Sequence, residues 1–356
     1  MKTLSPSFPA IVVRSGRASK TWAVLLTAAI LALVAMPYVA HTGTTSSLVM
    51  FFVLLIMASM WNLLAGFGGM VSIGQQAYVG IGAYSVLAFA NMGIPPFLAL
   101  PLAALTCAVF AIPTSWLAFR LRGDYFAVGT WVIAEVYRLI VIRFADLGGA
   151  SGKSLPGLRG LDPVFRGALV YWAALGLAVL TILGCYLLLR GRTGLALTAV
   201  RDDETAAKAN GVDVTRSKRL VYLVSAAGCG AAGGLLIIDA LSVQPGAIFN
   251  VQWSAYMIFI VIVGGIGYLE GPLIGAIVFF VLQQLLAGYG SWYMIVLGLV
   301  GAAAAIWLPH GIWGKITDKT GIQLFPVTYR LKLSEPTVRR PAQPVRDNEA
   351  ADTTAR

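Results

Sequence analysis

The polar segment 190–219 carries the charged side chains best suited to chemistry in a chain that is otherwise mostly apolar. Within it, Glu204, Ala206, Ala207 and Gly211 follow the order E-x-A-A-x-x-x-G. The Glu204 carboxylate can accept charge-assisted hydrogen bonds, and the alanines leave room for a partner to approach closely. This pattern indicates a helix that docks into a groove on another protein. A solvated loop with incidental alanines is the alternative that the residues leave open.

Residues that commonly start and stop helices flank this pattern. Asp202 or Asp203 can accept hydrogen bonds from the free backbone N–H groups of a first helical turn. The pair Asn210 and Gly211 can adopt the left-handed conformation that ends a helix. We therefore expect a helix of about two turns between them. Thr215 is placed to cap the helix that follows.

One stretch resembles a phosphate-binding loop without meeting its requirements. Residues 148–154 end in Gly-Lys-Ser, but the pattern G-x-x-x-x-G-K-[ST] needs a glycine at position 147, which is occupied by Leu147. The helix that should follow such a loop is interrupted by Leu-Pro-Gly at 155–157. No nucleotide site is therefore expected in this chain.

Residues suited to catalysis or metal binding are sparse. His41 and His310 lie near opposite ends of the chain, and the three cysteines fall inside apolar runs. No paired-carboxylate, His or Cys constellation has the arrangement that catalysis or a metal site needs. We expect neither an enzyme nor a bound metal or cofactor.

The composition sets the environment in which the polar segment must be positioned. Hydrophobic residues make up 58% of the chain, charged residues only 12%, and the mean hydropathy is +0.80. These values indicate an all-α integral membrane protein, because a membrane-spanning helix needs roughly 20 apolar residues. About ten such spans are predicted: 21–40, 47–65, 77–92, 96–119, 125–144, 167–189, 219–240, 253–268, 272–289 and 291–309.

Lys and Arg accumulate on the cytoplasmic side of membrane proteins, so their distribution predicts the orientation. Basic residues precede the first span, and alternation from there puts every strong basic cluster on the inside. We expect a cytoplasmic N-terminal segment (1–20), a transmembrane domain (21–310) that includes the loop 190–219, and a cytoplasmic tail (311–356). The tail is expected to be largely disordered beyond about residue 328. The net charge of +11 reflects orientation and contact with membrane lipid rather than nucleic-acid binding.

Two glycine-rich segments interrupt the apolar runs. Broken helices at membrane depth are tolerated where protein or a water-filled cavity satisfies the freed backbone groups, so these segments are candidates for a translocation path. Packing of closely spaced helices is the alternative, and it is favoured for Gly230 and Gly234. The candidate path residues in these segments are Gly68, Gly69, Ser72, Gly74, Gln75, Gln76, Gly264 and Gly265.

Glu135 and Arg138 stand three residues apart within a predicted span and can pair on one helix face. A charge at the centre of a membrane helix costs about 2.5–3.5 kcal/mol on insertion scales, so such residues usually face the bundle interior. We interpret them as a structural ion pair or, for Glu135, as part of a path. A proton-coupled secondary transporter that uses Glu135 or Asp239 is the principal alternative function, but it gives no reason for the capped helix.

Several motifs together resemble the permease family of branched-chain amino acid ABC importers, of the LivM type. The E-x-A-A-x-x-x-G pattern resembles the cytoplasmic coupling motif of ABC-importer permeases. The further motifs cover roughly residues 48–310 in the order of the family: N-L-L-A-G-F-G-G-M-V-S-I-G-Q-Q-A-Y-V-G-I-G-A-Y at 62–84, R-G-D-Y-F-A-V-G-T at 122–130, R-D-D-E-T-A-A-K-A-N-G-V at 201–212 and V-G-G-I-G-Y-L-E-G-P-L-I-G-A at 263–276.

The resemblance implies an ABC-importer permease fold in the bacterial inner membrane. It also implies a second, homologous permease subunit, two ATPase subunits and a periplasmic substrate-binding protein as partners. The coupling residues carried over are Asp202, Asp203, Glu204, Ala206, Ala207 and Gly211. Relatives serve branched-chain amino acids, urea, amides or aromatic acids, and the sequence leaves this choice open.

Overall fold

The computed structural model describes residues 10–13, 17–39, 42–158, 160, 162–286, 288, 290, 292–320, 324–325 and 330–333. Most of the tail for which disorder is predicted lies outside the described residues. The described part is mainly α-helical, as the sequence predicts.

Fifteen helices follow one another in the described part of the chain. They are α1 (Arg17–Val34), α2 (Met36–Val39), α3 (Thr42–Asn62), α4 (Gln76–Asn91), α5 (Pro96–Ala118), α6 (Asp124–Ile142), α7 (Pro163–Arg190), α8 (Arg192–Asp202), α9 (Glu204–Ala209), α10 (Val214–Ala240), α11 (Pro245–Ile248), α12 (Gln252–Gly264), α13 (Gly271–Leu286), α14 (Trp292–Trp307) and α15 (Gly311–Thr320). A π-helical turn, Leu63–Phe67, extends α3, and a 3-10 turn, Ala145–Leu147, follows α6.

Seven helical segments among the described residues are long and apolar enough to cross a membrane. They are Gly43–Phe67, Pro96–Ala118, Asp124–Ile142, Pro163–Arg190, Val214–Ala240, Pro245–Gly264 and Met294–Thr320. Two shorter apolar helices, Leu25–Val34 and Gly271–Leu286, accompany them. The prediction of a multi-pass helical membrane protein is therefore confirmed.

Helices α3 and α10 form the buried centre of the molecule, and small residues let their neighbours approach closely. A Cβ atom at Gly230 on α10 would collide with the Cys107 side chain of α5, and one at Gly234 would lie 2.9 Å from the Val86 side chain of α4. A Cβ atom at Gly82 would collide with the Gly230 backbone. This is the close helix packing that small residues permit in membranes, and it agrees with the role predicted for Gly230 and Gly234.

Two breaks divide the helices at the glycine-rich segments. The first break, which comprises the π-helical turn Leu63–Phe67 and residues 68–75, separates α3 from α4, and the second break, residues 265–270, separates α12 from α13. Glycine is needed in both because Gly69 has a φ of 66° and Gly267 a φ of 78°, in the left-handed region that side chains disfavour. The predicted glycine-broken helices are present.

Two short antiparallel strand pairs complete the fold. Strand β1 (Ala10–Val13) pairs with β4 (Arg330–Leu333), which brings segments near the two ends of the chain together. Strand β2 (Lys153–Ser154) pairs with β3 (Ser242–Val243). The stretch that resembles a phosphate-binding loop thus leads into a strand instead of a helix.

Candidate functional site

The E-x-A-A-x-x-x-G segment folds as the short helix α9, which follows directly after α8. Of the two candidate caps, Asp203 is the one used: its carboxylate accepts hydrogen bonds from the N–H groups of Thr205 and Ala206 at 2.8 and 3.0 Å. Asp202 instead accepts a hydrogen bond from the Arg201 side chain at 3.2 Å. Gly211 follows α9 with a φ of 79°, in the left-handed conformation expected of a helix stop.

The prediction that Thr215 caps the next helix is wrong. Helix α10 begins at Val214, so Thr215 lies inside its first turn. The cap is Asp213, whose carboxylate accepts a hydrogen bond from the Arg216 N–H at 2.9 Å. The carboxylate lies one position before the helix, where the free N–H groups of the first turn point, and this position excludes Thr215 from the role.

The Glu204 carboxylate ties α9 to α10. It accepts hydrogen bonds from the Lys208 ammonium at 3.2 Å and from the Lys218 ammonium, on α10, at 2.7 Å. The hydrogen bond from Lys218 is the main cause that lowers the pKa of Glu204, partial burial opposes it, and Lys208 lowers the pKa further. At neutral pH the Glu204 carboxylate is therefore ionised, and its hydrogen bond with Lys218 joins the two helices.

The two alanines of the motif point in different directions. Ala207 is only 2% exposed and packs against Val200 of α8 and Val214 of α10. Ala206 is exposed. Ala207 thus stabilises the fold of the segment itself, and Ala206 is the alanine accessible to a partner.

Arg201, at the end of α8, connects this segment to the first break. Its guanidinium Nη1 donates a hydrogen bond to the Gly66 carbonyl oxygen at 3.1 Å. The Arg201 side chain also lies over Gly69, and a Cβ atom at Gly267 would be 3.3 Å from the same Nη1. One side chain therefore binds the first glycine-rich break and lies close to the second.

Asn62 joins the two breaks directly. Its amide Nδ2 donates a hydrogen bond to the Tyr268 carbonyl oxygen at 2.8 Å, and its Oδ1 accepts one from the Gly267 N–H at 2.9 Å. A Cβ atom at Gly66 would lie 2.5 Å from the Gly267 nitrogen, so the contact requires glycine. The two segments, about 200 residues apart in sequence, form one backbone-to-backbone junction.

The remaining glycines proposed for the path lie at close contacts. Gly264 is buried, and a Cβ atom there would collide with the Gly271 carbonyl of α13. Gly265 has a φ of 134° and packs against Gly311 at the start of α15. Gly74 is buried where the first break meets Thr130 of α6.

A buried polar cluster continues from the first break into α4. Ser72, Gln75 and Gln76 are each at most 1% exposed. The Gln76 Oε1 accepts a hydrogen bond from the Ser254 hydroxyl of α12. The Gln75 Oε1 accepts one from the Ser225 hydroxyl of α10 at 3.5 Å, whereas the Gln75 Nε2 has no hydrogen-bond partner in the described part of the chain. The cluster lies inside this subunit, between α4, α10 and α12.

Glu135 and Arg138 form the predicted ion pair, with the Arg138 Nε 2.8 and 2.9 Å from the two Glu135 oxygens. The expectation that these charges face the bundle interior is wrong for the isolated chain, because the side chains of Glu135 and Arg138 are 47% and 29% exposed. Asp239 is also exposed and lines a cavity of about 170 Å³ with Thr45 and Arg166.

Sequence reasoning missed two residues that organise this site. In the sequence, Arg201 and Asn62 are only the first residues of the motifs at 201–212 and 62–84. Both side chains form hydrogen bonds with backbone carbonyl or N–H groups that are distant in sequence, and no local sequence pattern reveals such bonds. The one available signal was an amide and a guanidinium next to glycine-rich segments whose backbone groups need partners.

The chain matches the family model described as "Branched-chain amino acid transport system / permease component" over residues 43–305. It is 29% identical over 314 residues to the high-affinity branched-chain amino acid transport system permease protein LivM of Escherichia coli, covering 81% of this chain and 74% of that protein. The LivM protein of Salmonella typhimurium is 29% identical over 306 residues, which cover 78% of this chain and 72% of the relative.

A second type of relative also matches. The probable branched-chain amino acid transport permease protein LivH of Methanocaldococcus jannaschii is 24% identical over 271 residues, covering 67% of this chain and 82% of that protein. No solved structure matches the chain. With a family model matched over more than half of its length, the chain belongs to the family of permease components of branched-chain amino acid transport systems, and it is a transport subunit rather than an enzyme.

Proposed function

We propose that this chain forms part of the translocation path of an ATP-driven importer for branched-chain amino acids or related small polar or amphipathic solutes. Its partners are a second, homologous permease subunit, two ATPase subunits and a periplasmic substrate-binding protein, in the bacterial inner membrane. The family membership and the names of the LivM relatives, which are branched-chain amino acid permeases, support the substrate class.

One observation carries the coupling part of this proposal. The hydrogen bond from Arg201 to the Gly66 carbonyl links the capped α8–α9 segment to the break after α3. A solvated loop with incidental alanines would have no reason to make this link. We infer that α9 is the coupling helix, with Asp203, Glu204, Ala206, Ala207 and Gly211 as its defining residues and with Asp202 beside it at the end of α8.

These residues have different tasks in the coupling that we propose. Asp203 and Gly211 start and stop the helix, and Ala207 packs it onto the chain. Ala206 and the exposed edge of Glu204 face the ATPase subunit. Glu204 also binds Lys218, so a displacement of α9 is passed to α10.

The transport step would then be a change between two arrangements of the bundle. Closure of the ATPase dimer on ATP displaces α9, and Arg201 passes this displacement to both breaks. Because each break separates two helices, α3 from α4 and α12 from α13, a small shift of the junction can rock helix pairs between inward-open and outward-open states. This mechanism requires one structural element with two arrangements whose equilibrium is shifted by nucleotide binding. The junction between the breaks fits that role.

The path assignment stays a proposal for Gly68, Gly69, Ser72, Gly74, Gln75, Gln76, Glu135, Gly264 and Gly265. The buried polar side chains of the first break support it, as does the Gln75 Nε2, which lacks a hydrogen-bond partner among the described residues, because a polar atom left unpaired in the membrane is costly. The close contacts of Gly74, Gly264 and Gly265 favour a role in holding the breaks rather than in touching solute.

We further propose ten membrane spans, formed by α1, α3, α4, α5, α6, α7, α10, α12, α13 and α14. Both ends of the chain are then cytoplasmic, with the divisions at 1–20, 21–310 and 311–356. Two contacts support this arrangement. Strand β1 pairs with β4, and the Glu270 carboxylate, in the second break, accepts hydrogen bonds from the N–H groups of Leu324 and Phe325 at 3.0 and 2.8 Å.

Reconstitution of the complete transporter tests the proposed function. The full chain would be co-expressed with the candidate second permease and ATPase subunits and placed in proteoliposomes with the binding protein and labelled leucine. We expect the subunits to co-purify and uptake to require ATP. Uptake that follows a pH gradient without ATP would instead support a proton-coupled transporter using Glu135 or Asp239, and would overturn the importer proposal.

A further inference from the structure

Helix α6 presents an exposed charged pair in the middle of a membrane-spanning surface. At 1.5 Å per residue, Glu135 lies about 17 Å along a helix of about 28 Å that begins at Asp124. Neither end of the helix is therefore within easy reach of the Glu135 carboxylate. The residues that surround the pair on the exposed surface are apolar, among them Val132, Val136 and Leu139.

Lipid is a poor cover for this surface. Ionisable side chains at membrane depth are rare, and they face a bundle interior or a water-filled cavity in almost all cases. In the isolated chain, the Glu135 side chain is 47% exposed, and α6 buries only Phe126, Thr130 and Ala134 against its neighbours. Something other than hydrocarbon must cover the exposed face of α6, which carries Glu135.

The spacing of the exposed residues points to helix packing. Successive exposed residues on this face are separated alternately by three and by four positions. The average spacing of 3.5 residues is typical of two helices that pack along their length. Val128 and Val132 are each 53% exposed and are β-branched, and Glu135 comes next in the same stripe. The complete stripe consists of Tyr125, Val128, Val132, Glu135 and Leu139.

Helix α14 has an exposed surface of a different kind. Its exposed residues include Ile295, Leu299 and Ile306, and no charged residue interrupts α14. Trp292 and Trp307 are 69% and 74% exposed at its two ends. Tryptophan at both ends of an apolar helix is typical of the aromatic belts at membrane interfaces.

We propose that the α6 face, defined by Tyr125, Val128, Val132, Glu135 and Leu139, packs against the second permease subunit. This inference rests on the proposed function, in which two permeases share one membrane. The ATPases and the binding protein are water-soluble, so they reach only the ends of α6 and not Glu135. A permease subunit is the one partner in the assembly that lies at this depth.

The surface of the partner must match the α6 face in polarity. It is apolar opposite Val128 and Val132, and it offers polar groups or a water-filled path opposite the Glu135–Arg138 pair. The pair is neutral as a unit, so the partner needs hydrogen-bonding groups and no net charge. The match of this chain to both LivM-type and LivH-type relatives indicates that such a partner has the same kind of helices.

Photo-crosslinking in membranes tests the interface. A benzophenone amino acid would replace Val132 on α6 or, as the matched control, Leu299 on α14, in the full transporter. On illumination, we expect the benzophenone at position 132 to crosslink to the second permease. The benzophenone at position 299 should crosslink to lipid only. Lipid adducts alone at position 132, in a transporter that still assembles, would overturn the interface while leaving the proposed function intact.

A steric pair of variants gives an independent readout. Val132→Trp should lower the amount of second permease that co-purifies by at least about tenfold, because the bulky ring separates the two helices. Leu299→Trp should leave this amount within about twofold of the wild type, since lipid adapts to the ring. Equal co-purification in both variants would contradict the interface. Failure of the wild-type subunits to co-purify at all would overturn the proposed function as well.

Discussion

The Arg201 guanidinium donates a hydrogen bond to the Gly66 carbonyl oxygen at 3.1 Å, across 135 residues of sequence. Gly66 belongs to the π-helical turn that extends α3, where the regular pattern of backbone hydrogen bonds changes and a carbonyl can accept an external donor. Helix α8 is therefore attached to the point at which the buried helix α3 breaks. The same side chain lies close to Gly267, because a Cβ atom added there would be 3.3 Å from the Arg201 Nη1, so one residue adjoins both breaks.

Removal of the Arg201 side chain should uncouple ATP hydrolysis from transport. A hydrogen bond from a charged group contributes about 1.5–3 kcal/mol, so Arg201→Ala should lower ATP-driven uptake about tenfold or more while ATP hydrolysis persists. Arg201→Lys should be nearly as defective, because its ammonium lacks the planar geometry of guanidinium. Arg192→Ala, at the exposed other end of α8, is the matched control. Equal uptake in all three variants would mean that Arg201 is not part of the coupling route.

A side chain at Gly66 should separate the two breaks. In Gly66→Ala, the new methyl group would lie 2.5 Å from the Gly267 nitrogen and would collide with the Asn62 amide. Overpacking of this kind costs about 1–3 kcal/mol, so the melting temperature of the detergent-purified protein should fall by several degrees. Gly176→Ala on α7, where a Cβ atom meets nothing within 4 Å, should leave it unchanged. A melting temperature equal to that of the wild type for Gly66→Ala would show that the junction is loosely packed.

Removal of the Asp203 cap should loosen α9 locally. Asp203→Ala loses the acceptor for the Thr205 and Ala206 N–H groups, and such caps contribute about 0.5–2 kcal/mol. Hydrogen exchange of the α9 amides should therefore accelerate several-fold to about thirtyfold, and Asp203→Asn should largely restore protection. Asp202→Ala provides the control, because Asp202 makes no cap. Equal acceleration in the two alanine variants would assign the cap to neither residue.

The parts of this site that were predictable from sequence are those set by near neighbours. Gly211, the helix of E-x-A-A-x-x-x-G and the Glu135–Arg138 pair follow from spacings of up to about four residues, where backbone geometry fixes distances. The choice between Asp202 and Asp203 needed the end of α8, which no sequence signal marked.

Contacts between distant segments were not predictable from one sequence. The hydrogen bonds of Asn62 with the second break, and of Arg201 with the first, depend on how ten or more helices pack. The burial of Ala207 depends on Val200 and Val214, which belong to different helices. The exposure of Glu135 depends on the peripheral place of α6 in the bundle. Hydropathy identifies the helices, but it does not say which face of each one meets protein.

The tie between Glu204 and Lys218 should weaken on acidification. The native pKa of Glu204 is lowered below its ordinary value of 4.5. The ion pair with Lys218 therefore stabilises the folded state above pH 4.5, and this stabilisation is lost as the pH falls through the lowered native pKa. The carboxylate is 45% exposed, so the contribution is only about 0.2–1 kcal/mol after solvent screening.

A double-mutant cycle can isolate this small contribution. Hydrogen exchange at the start of α10 would be compared in Glu204→Gln, Lys218→Met and the double variant, at pH 7 and below pH 4. We expect a favourable coupling between the two positions at pH 7 that fades at the lower pH, because protonation removes the charge that Lys218 binds. The matching cycle with Lys208→Met should give a smaller coupling, since its ammonium lies at 3.2 Å and is 60% exposed. A coupling energy that is independent of pH would mean that packing, rather than charge, joins α9 to α10, and the transmission that we propose from α9 would then depend on Ala207 and its valine neighbours.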